Sequence, residues 1–393
     1  MKDFRGFVGK EGQGRPKNVG IYVHVPFCLS KCHYCDFCSV TRADDEKKDA
    51  YVSRVCSEIE DFAEKIRQTG DIPKADTVYF GGGTPTLMSA DQFSRVLSAV
   101  GSGFGIADGA EITAECNPRS IDGAGLKDLR KSGVNRLSIG MQSIHDSELR
   151  MLGRIHSSED FLETYSEARR AGFDNVSVDL MYGIPNQTRE TFEKSVKGLA
   201  MLDPEHISSY SLTVEEDTNF YRRRDSLSLP DEDTVSDMYA DMNEILSRYG
   251  YYRYEISNFA KEGRESRHNM KYWACESYLG FGSAAHSYFD GVRFAHSRDI
   301  DAYIEGKRAI IDVEPIDKRE AMNEYVMLGM RLSQGVDISI FKDRFGEELF
   351  DVFGKIRKYS PEFVEISDKK CRFTEKGTFV SNSILSDVLN FGE

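Results

Sequence analysis

The sequence predicts an α/β protein made of a partial (β/α)6, TIM-like barrel and a smaller, winged-helix-like α+β domain at the C-terminus. Between residues 20 and 212, short β-branched or aromatic runs alternate with amphipathic segments, which is typical of a parallel sheet. Six such units are too few for a closed eight-stranded barrel, so we expect an open one. A length of 393 residues suits two domains.

The six predicted strands cover 20–25, 77–80, 111–115, 136–140, 175–180 and 206–212. Helices are predicted between them, at 44–68, 122–132, 158–171 and 188–202. Each strand is followed by unusual residues: a cysteine loop, GGGTP, Glu115 with an Asn-Pro pair, Gln142, Asp179, and Thr213 with Glu215. Because the carboxyl ends of parallel barrel strands meet at one rim, we expect these residues to form one site.

We divide the chain into an N-terminal extension (1–19), the barrel core (20–215), a segment that wraps the barrel opening (216–316) and the C-terminal domain (317–393). The wrapping segment contains a strand candidate at 252–258 and a glycine-rich stretch at 278–286. In the C-terminal domain we expect helices at 317–333, 337–345 and 347–358, then a hairpin and a last helix.

The charge balance argues against a nucleic-acid partner, because the chain carries a net charge of -14. Residues 337–393 hold nine Lys or Arg against eleven Asp or Glu, so DNA reading by the winged-helix-like domain is also disfavoured. The sequence has neither an apolar run of about 20 residues nor the apolar stretch of a signal peptide. We therefore expect a cytoplasmic protein.

Four of the eight cysteines fall between positions 28 and 38. Cys28, Cys32 and Cys35 follow the first strand with the spacing C-x3-C-x2-C. A [4Fe-4S] cluster normally takes four thiolates, so three leave one iron open, and the amino and carboxylate groups of S-adenosylmethionine (SAM) can fill it. We expect the nearby Tyr34 and Phe37 to shield the cluster.

A Cys3His zinc site that includes His24 or His33 is the alternative for this loop. It is disfavoured because zinc sites favour paired C-x2-C units. Cys38 is either a fourth ligand or a small packed thiol, and the sequence leaves both open.

A series of motifs then carries a family resemblance: YVHVPFC with CDF, GGGTPT (81–86), AECNP (114–118), GVNRLSIGMQS (133–143), LGRIH (152–156) and DLMYGIPNQT (179–188). Together they resemble the radical SAM enzymes of the oxygen-independent coproporphyrinogen III oxidase family. The chain is most similar to the heme chaperone branch, because of CDF, a short N-terminal extension and HNMKYW at 268–273. In the oxidase pattern a further cysteine stands where this chain has Phe37.

The resemblance implies roles for nine residues around the cluster. Contacts to the cluster-bound SAM are implied for Tyr22, Gly82, Glu115 and Asp179. The positions at which the oxidase holds a second SAM correspond to Tyr34, Gly83, Thr84, Gln142 and Arg154. Taken singly, GGGTP is usually a tight turn and an Asp after a strand is usually a helix cap.

The motif HNMKYW supplies the heme candidates His268, Asn269 and Tyr272, beside the only tryptophan, Trp273. The chaperone resemblance implies a heme face with axial ligation. Equally, these residues suit a polar cap on an aromatic cluster.

The leading functional hypothesis is a heme chaperone that binds heme and transfers it to a target protein. The alternatives are radical decarboxylation of coproporphyrinogen and methyl transfer by a related radical SAM catalyst, and a protein-interaction role of the C-terminal domain is a third. The expected cofactors are the [4Fe-4S] cluster, SAM and heme. The expected partners are heme or a porphyrinogen, an electron donor of the flavodoxin or ferredoxin type, and a heme-acceptor protein through which any membrane contact occurs.

Overall fold

The computed structural model describes residues 16–307 and 310–389, so most of the N-terminal extension predicted at 1–19 lies outside it. The described strands are β1 (Asn18–Val25), β2 (Phe27–Cys28), β3 (Val40–Thr41), β4 (Lys74–Gly82), β5 (Ile106–Cys116), β6 (Arg136–Gln142), β7 (Val176–Tyr182), β8 (His206–Ser211), β9 (Tyr252–Arg253), β10 (Asn258–Ala260), β11 (Tyr278–Phe281), β12 (His286–Phe289), β13 (Val292–His296), β14 (Ile310–Pro315), β15 (Val336–Asp337), β16 (Val364–Ile366) and β17 (Lys370–Phe373).

The described α-helices are α1 (Asp45–Arg67), α2 (Ala90–Gly103), α3 (Gly123–Lys131), α4 (Asp146–Met151), α5 (Ser158–Arg170), α6 (Arg189–Met201), α7 (Asn219–Arg222), α8 (Glu232–Arg248), α9 (Arg267–Trp273), α10 (Ile300–Ile304), α11 (Lys318–Gly329), α12 (Ile338–Phe345), α13 (Leu349–Val352), α14 (Glu375–Phe379) and α15 (Ser381–Val388). Single turns of 3-10 helix occupy Pro85–Leu87 and Arg224–Ser226, and a longer one occupies Gly354–Tyr359.

The main sheet has twelve strands in the order β14-β13-β12-β11-β1-β4-β5-β6-β7-β8-β10-β9. Its centre consists of six parallel strands that lie side by side in chain order: β1, β4, β5, β6, β7 and β8. On one side β11 adds to β1 in parallel and begins an antiparallel extension, and on the other β10 adds to β8 antiparallel. Within the described residues the two edge strands do not pair, which confirms the open barrel.

The parallel strands are buried on both faces, and this explains their near-continuous apolar sequences. All seven residues of β6 are buried, for example, although the strand begins with an arginine. Except for α4, the helices between the parallel strands start at side-chain caps, and α5 and α6 each begin with a reciprocal capping box at Ser157 and Thr188. The barrel core therefore follows the sequence pattern closely.

The wrapping segment departs from the prediction in two places, at the strand candidate and at the unpredicted helix α8. The strand expected at 252–258 is two short strands, β9 and β10, which pair antiparallel with Phe259 opposite Arg253. The glycine-rich stretch forms the β11–β12 hairpin, in which a Cβ on Gly280 would lie 2.2 Å from the His286 carbonyl oxygen. Two long helices were not predicted: α8 in this segment and α2 in the barrel core.

The C-terminal domain has its own apolar core, centred on Tyr325, Phe341, Phe345 and Phe353. Its three-stranded sheet has the order β15-β17-β16, with the predicted hairpin as β16 and β17. The domain joins the barrel where the Ser333 amide donates to the Tyr254 carbonyl at 2.9 Å.

Within the part of the chain that the structure describes, no helix combines the length and the apolar composition needed to cross a bilayer.

Candidate functional site

Glu115 lies at the end of β5 and is held by groups from β4. The Tyr79 hydroxyl and the Gly82 amide each donate a hydrogen bond of 3.0 Å to its carboxylate. Gly82 has a φ of +111°, and a Cβ there would lie 2.5 Å from the His24 ring, so this position requires glycine. The predicted pair Gly82 and Glu115 is thus one hydrogen-bonded unit.

Asp179, at the centre of β7, is the second carboxylate of the barrel interior. The Ser138 hydroxyl donates to it at 3.0 Å. The side chains of Glu115 and Asp179 are both partly buried and partly exposed to solvent. Burial, and then the negative charge of Asp179, raise the pKa of Glu115 to about 7. Burial likewise raises the pKa of Asp179. Two carboxylates that are costly to ionise together are well suited to a cationic ligand.

The cysteine loop is closed at its base because β2 pairs in parallel with β3. The Thr84 hydroxyl donates to Cys28 Sγ at 3.8 Å, and the Arg154 guanidinium donates to Cys32 Sγ at 3.5 Å. Burial raises the pKa of Cys28, and raises that of Cys35 to about 11 with a contribution from the other two thiols. The three predicted cluster ligands are therefore neighbours, and a positive iron site would favour their thiolate forms.

Arg154 connects the loop to the strand ends. Its second terminal nitrogen donates to Asn117 Oδ1 at 2.6 Å and to the Gly140 carbonyl at 2.7 Å. Asn117 in turn donates to the Thr84 hydroxyl at 2.7 Å. The Asn-Pro pair was expected at the rim because it directly follows β5, but no ligand role was predicted for Asn117 itself. Its position after a strand is the signal that identifies it.

The remaining predicted SAM contacts lie around the same rim. The Gly83 amide donates to the Val25 carbonyl at 2.8 Å. Gln142 is buried at the end of β6 with a φ of +67°. Burial raises the pKa of Tyr34, whose charged neighbours are Arg154, Cys32 and Cys35. Tyr22 stacks on Tyr79 at 6.2 Å between ring centroids. All nine predicted residues thus face one cluster loop or the barrel interior beneath it.

Cys38 makes contacts separate from those of the other three cysteines of the loop. Its thiol donates to the Arg298 carbonyl at 3.2 Å, and burial raises its pKa. Phe37, predicted to shield the cluster, has 62% of its surface exposed, and its shielding role stays a prediction. Tyr34 is better enclosed and occupies the loop side of Arg154.

Both histidines of the zinc alternative make hydrogen bonds within the protein. His24 makes hydrogen bonds with the Tyr22 hydroxyl and the Cys38 carbonyl, and His33 with the Met151 carbonyl. Among the described residues, no three His, Cys, Asp or Glu side chains converge on a single metal ion. A cubane differs because each thiolate binds a different iron, which separates the sulfurs. Three adjacent thiols on one loop therefore fit a cluster better than a zinc ion.

The heme candidates lie at the amino-terminal end of the barrel, opposite the cluster loop. His268 is 1% exposed, and its two ring nitrogens lie 2.8 Å from the Thr77 hydroxyl and 2.7 Å from the Tyr272 hydroxyl. Its ring stacks on Tyr79 with a centroid distance of 5.2 Å, and burial lowers its pKa to about 3. Asn269 is the third residue of α9, and its backbone N–H donates a hydrogen bond to the hydroxyl of Ser266, the N-cap residue. This geometry resembles the polar cap on an aromatic cluster.

Two family models match the chain: the radical SAM superfamily over residues 22–199 and the HemN C-terminal domain over 316–380. The heme chaperone HemW of Bacillus subtilis is 34% identical, with 94% of this chain and 98% of that protein covered. The mitochondrial radical S-adenosyl methionine domain-containing protein 1 of Bos taurus is 33% identical, with 95% and 88% covered.

Among solved structures, the coproporphyrinogen III oxidase HemN from Escherichia coli, described as a radical SAM enzyme, superposes with a TM-score of 0.82. The sequences are 24% identical, and 96% of this chain and 91% of that chain are covered. At this identity the match establishes a shared fold, which agrees with the open barrel and the C-terminal domain.

Proposed function

The chain belongs to the radical SAM family of the heme chaperone HemW, and from this premise we propose that it binds heme and transfers it to an acceptor protein. The observation that carries the proposal is identity of 30 to 34% to several HemW proteins over nearly the whole length of both chains. We place this activity in the cytoplasm, consistent with eight free cysteines within the described residues.

The proposal assigns the [4Fe-4S] cluster to Cys28, Cys32 and Cys35. When bound, the cluster supplies the electron that cleaves the sulfonium of SAM. The chain's own contribution is placement, because Glu115 and Asp179 offer carboxylates to the ammonium and ribose hydroxyls, and Gly82 admits the ligand close to the backbone. Support comes from the position of Gly82 and Glu115 at neighbouring strand ends, with Asp179 near Glu115 in the barrel interior.

A heme titration of the anaerobically reconstituted protein tests the main proposal. We expect stoichiometric heme binding and transfer to an apo-acceptor, without decarboxylation of coproporphyrinogen. Absence of heme binding, or decarboxylation accompanied by 5'-deoxyadenosine, would favour the oxidase instead. Methyl transfer is the other alternative, and a methylated product would reveal it.

The motif HNMKYW is the proposed heme contact, and its support is the sequence alone, since His268 is already bonded through both nitrogens. We expect His268→Ala to weaken heme binding. The matched control is His206→Ala, because His206 is also buried in the barrel and bonded on both nitrogens, to Ser177 and Tyr254. Equal heme binding by both variants would remove His268 from the heme site.

This chain also has a candidate docking surface for the proposed electron donor. It is formed by Arg222, Arg223 and Arg224, and we call it the arginine surface. The Phe220 amide donates to the His33 carbonyl at 2.9 Å, which places α7 against the cysteine loop. All three arginines are exposed, and Arg222 and Arg224 donate only to main-chain carbonyls. Four exposed carboxylates, Glu215, Glu216, Asp217 and Asp225, flank these arginines, so the proposed docking of an acidic flavodoxin- or ferredoxin-type donor depends on the guanidinium groups themselves and not on a net positive patch.

Replacing the three arginines of this surface with glutamine is expected to slow cluster reduction by flavodoxin roughly tenfold at low ionic strength, because steering of the acidic donor is lost. Reduction by dithionite, a small reagent, is expected to stay unchanged. Stopped-flow absorbance of the cluster measures both rates, and calorimetry measures flavodoxin binding directly.

The control neutralises three exposed arginines elsewhere, Arg67, Arg248 and Arg357. If this control variant slows flavodoxin as much as the arginine-surface variant does, net charge alone sets the rate and the docking proposal fails.

A further inference from the structure

A cavity of about 230 Å³ lies at the joint between the barrel and the C-terminal domain. It is lined by residues of β9, the turn after α11, β17 and the start of α15, and we call it the joint pocket: Arg253, Arg331, Ser333, Arg372, Thr374 and Ser381. None of the described lining residues belongs to the cysteine loop or to the strand ends around it. The cavity is therefore separate from the proposed SAM site.

Three arginines converge on the joint pocket in a strongly acidic chain. Arg372 is held by Glu365, with Nε donating at 2.6 Å. Arg253 and Arg331 instead donate to neutral groups, the Tyr239 hydroxyl at 2.9 Å and Asn382 Oδ1 at 3.1 Å. Arg331 Nε is buried and has no partner among the described residues. Since a guanidinium carries five N–H groups, Arg253 and Arg331 keep donors that an anion can use.

The first turn of α15 adds backbone donors to the same cavity. Ser381, the first residue of this eight-residue helix, lines the pocket and is 5% exposed. The N-cap residue, Val380, provides no side-chain hydrogen bond to the helix. The first N–H groups of a helix lack intrahelical partners and carry partial positive charge, so they favour an anion.

The walls of the joint pocket are fixed by contacts between the two domains. The Ser333 hydroxyl donates to the Arg253 carbonyl at 2.6 Å, and Glu255 forms an isolated bridge with Leu332. Two carboxylates, Glu365 and Glu375, also line the cavity and limit its net positive charge. The volume is below the ~300 Å³ typical of pockets for drug-sized molecules, so it suits a small anion or the acidic edge of a larger one.

We propose that the joint pocket binds a carboxylate or phosphate group through Arg331 and Arg253, assisted by the first turn of α15. Free phosphate and a propionate of heme are two sources of this chemistry. The heme source rests on the proposed chaperone function, whereas the phosphate source does not.

The first experiment titrates inorganic phosphate into the full-length protein at constant ionic strength and follows it by phosphorus NMR. We expect Arg331→Gln to weaken phosphate binding by tenfold or more, since a charge-assisted hydrogen bond is lost. Arg331→Lys keeps the charge and is expected to recover part of the affinity. Arg67→Gln, which removes an exposed arginine on α1, is expected to bind phosphate as the unmodified protein does.

The second experiment compares heme with heme dimethyl ester, which lacks both carboxylates. Tighter binding of heme than of the ester, with the difference lost in Arg331→Gln, would identify a propionate as the ligand. Equal binding of the two, with phosphate still sensitive to Arg331→Gln, would identify phosphate. The proposal is overturned if Arg331→Gln retains both phosphate affinity and the preference for heme over its ester. Failure of the unmodified protein to bind heme would refute the chaperone function and leave the phosphate test valid.

Discussion

Replacing Cys28, Cys32 and Cys35 together with alanine is expected to abolish cluster assembly. Iron content after anaerobic reconstitution should fall from the four irons of a cubane to background, because the proposal makes these three neighbouring thiols the protein ligands of the cluster. Binding of SAM should fall with it, since the open iron is one of its anchors. Iron and sulfide analysis, the cluster absorbance and calorimetric SAM titration measure the three effects.

Two single substitutions make the control for this prediction. Cys56→Ala removes a thiol of α1, remote in sequence from the loop, and should leave the iron content unchanged. Cys38→Ala decides the point that the sequence left open. Because the Cys38 thiol donates to the Arg298 carbonyl, we expect this variant also to keep its cluster. A loss of iron in Cys38→Ala would make Cys38 a fourth ligand and contradict the three-cysteine assignment.

Replacing Glu115 with glutamine is expected to weaken SAM binding by roughly tenfold to a hundredfold, the effect of losing a hydrogen bond to a charged group. The shape of the side chain is kept, so the Tyr79 and Gly82 contacts have a partner of similar size. For the unmodified protein, SAM affinity should rise as the pH increases through about 7, because the ammonium of SAM favours ionised Glu115. Calorimetry across this pH range tests both points.

The same carboxyl has a predicted effect on stability. The pKa of Glu115 is about 7 in the folded, ligand-free protein and 4.5 as its ordinary value, so the folded state holds the proton more tightly. Stability should therefore fall as the pH rises from 4.5 to about 7, by on the order of 3 kcal/mol. Glu255 has a similarly raised pKa, so the measured quantity is the difference between Glu115→Gln and the unmodified protein in urea unfolding.

Glu111→Gln is the matched control for Glu115, since it changes a carboxylate in the middle of the same strand. Glu111 accepts the amides of Arg267 and His268, both at 3.1 Å. This variant should be less stable yet bind SAM normally once folded. If Glu111→Gln weakens SAM binding as much as Glu115→Gln does, the effect comes from strand β5 as a whole and not from the carboxylate at its end.

The parallel barrel was predictable because its strands are buried on both faces and so have continuous apolar sequences. Rim residues such as Glu115 and Gln142 followed from that, since each stands directly after or at the end of a strand. The side-chain network was not predictable, because the Thr84–Asn117–Arg154 contacts join the ends of β4 and β5 to the loop after α4. The position of HNMKYW was also not predictable. Contacts between residues far apart in sequence hold α9 against the amino-terminal end of the barrel, such as the hydrogen bond from the His268 backbone N–H to the Glu111 carboxylate.

Tyr79 stands between the two ends of the barrel, touching His268 with its ring and Glu115 with its hydroxyl. A ligand that displaces His268 would therefore shift one of the donors that hold Glu115. Any such coupling is reciprocal by thermodynamic necessity, so heme would change the affinity for SAM by the same factor as SAM changes the affinity for heme. Binding of SAM and release of heme would then be linked through the same conformational equilibrium.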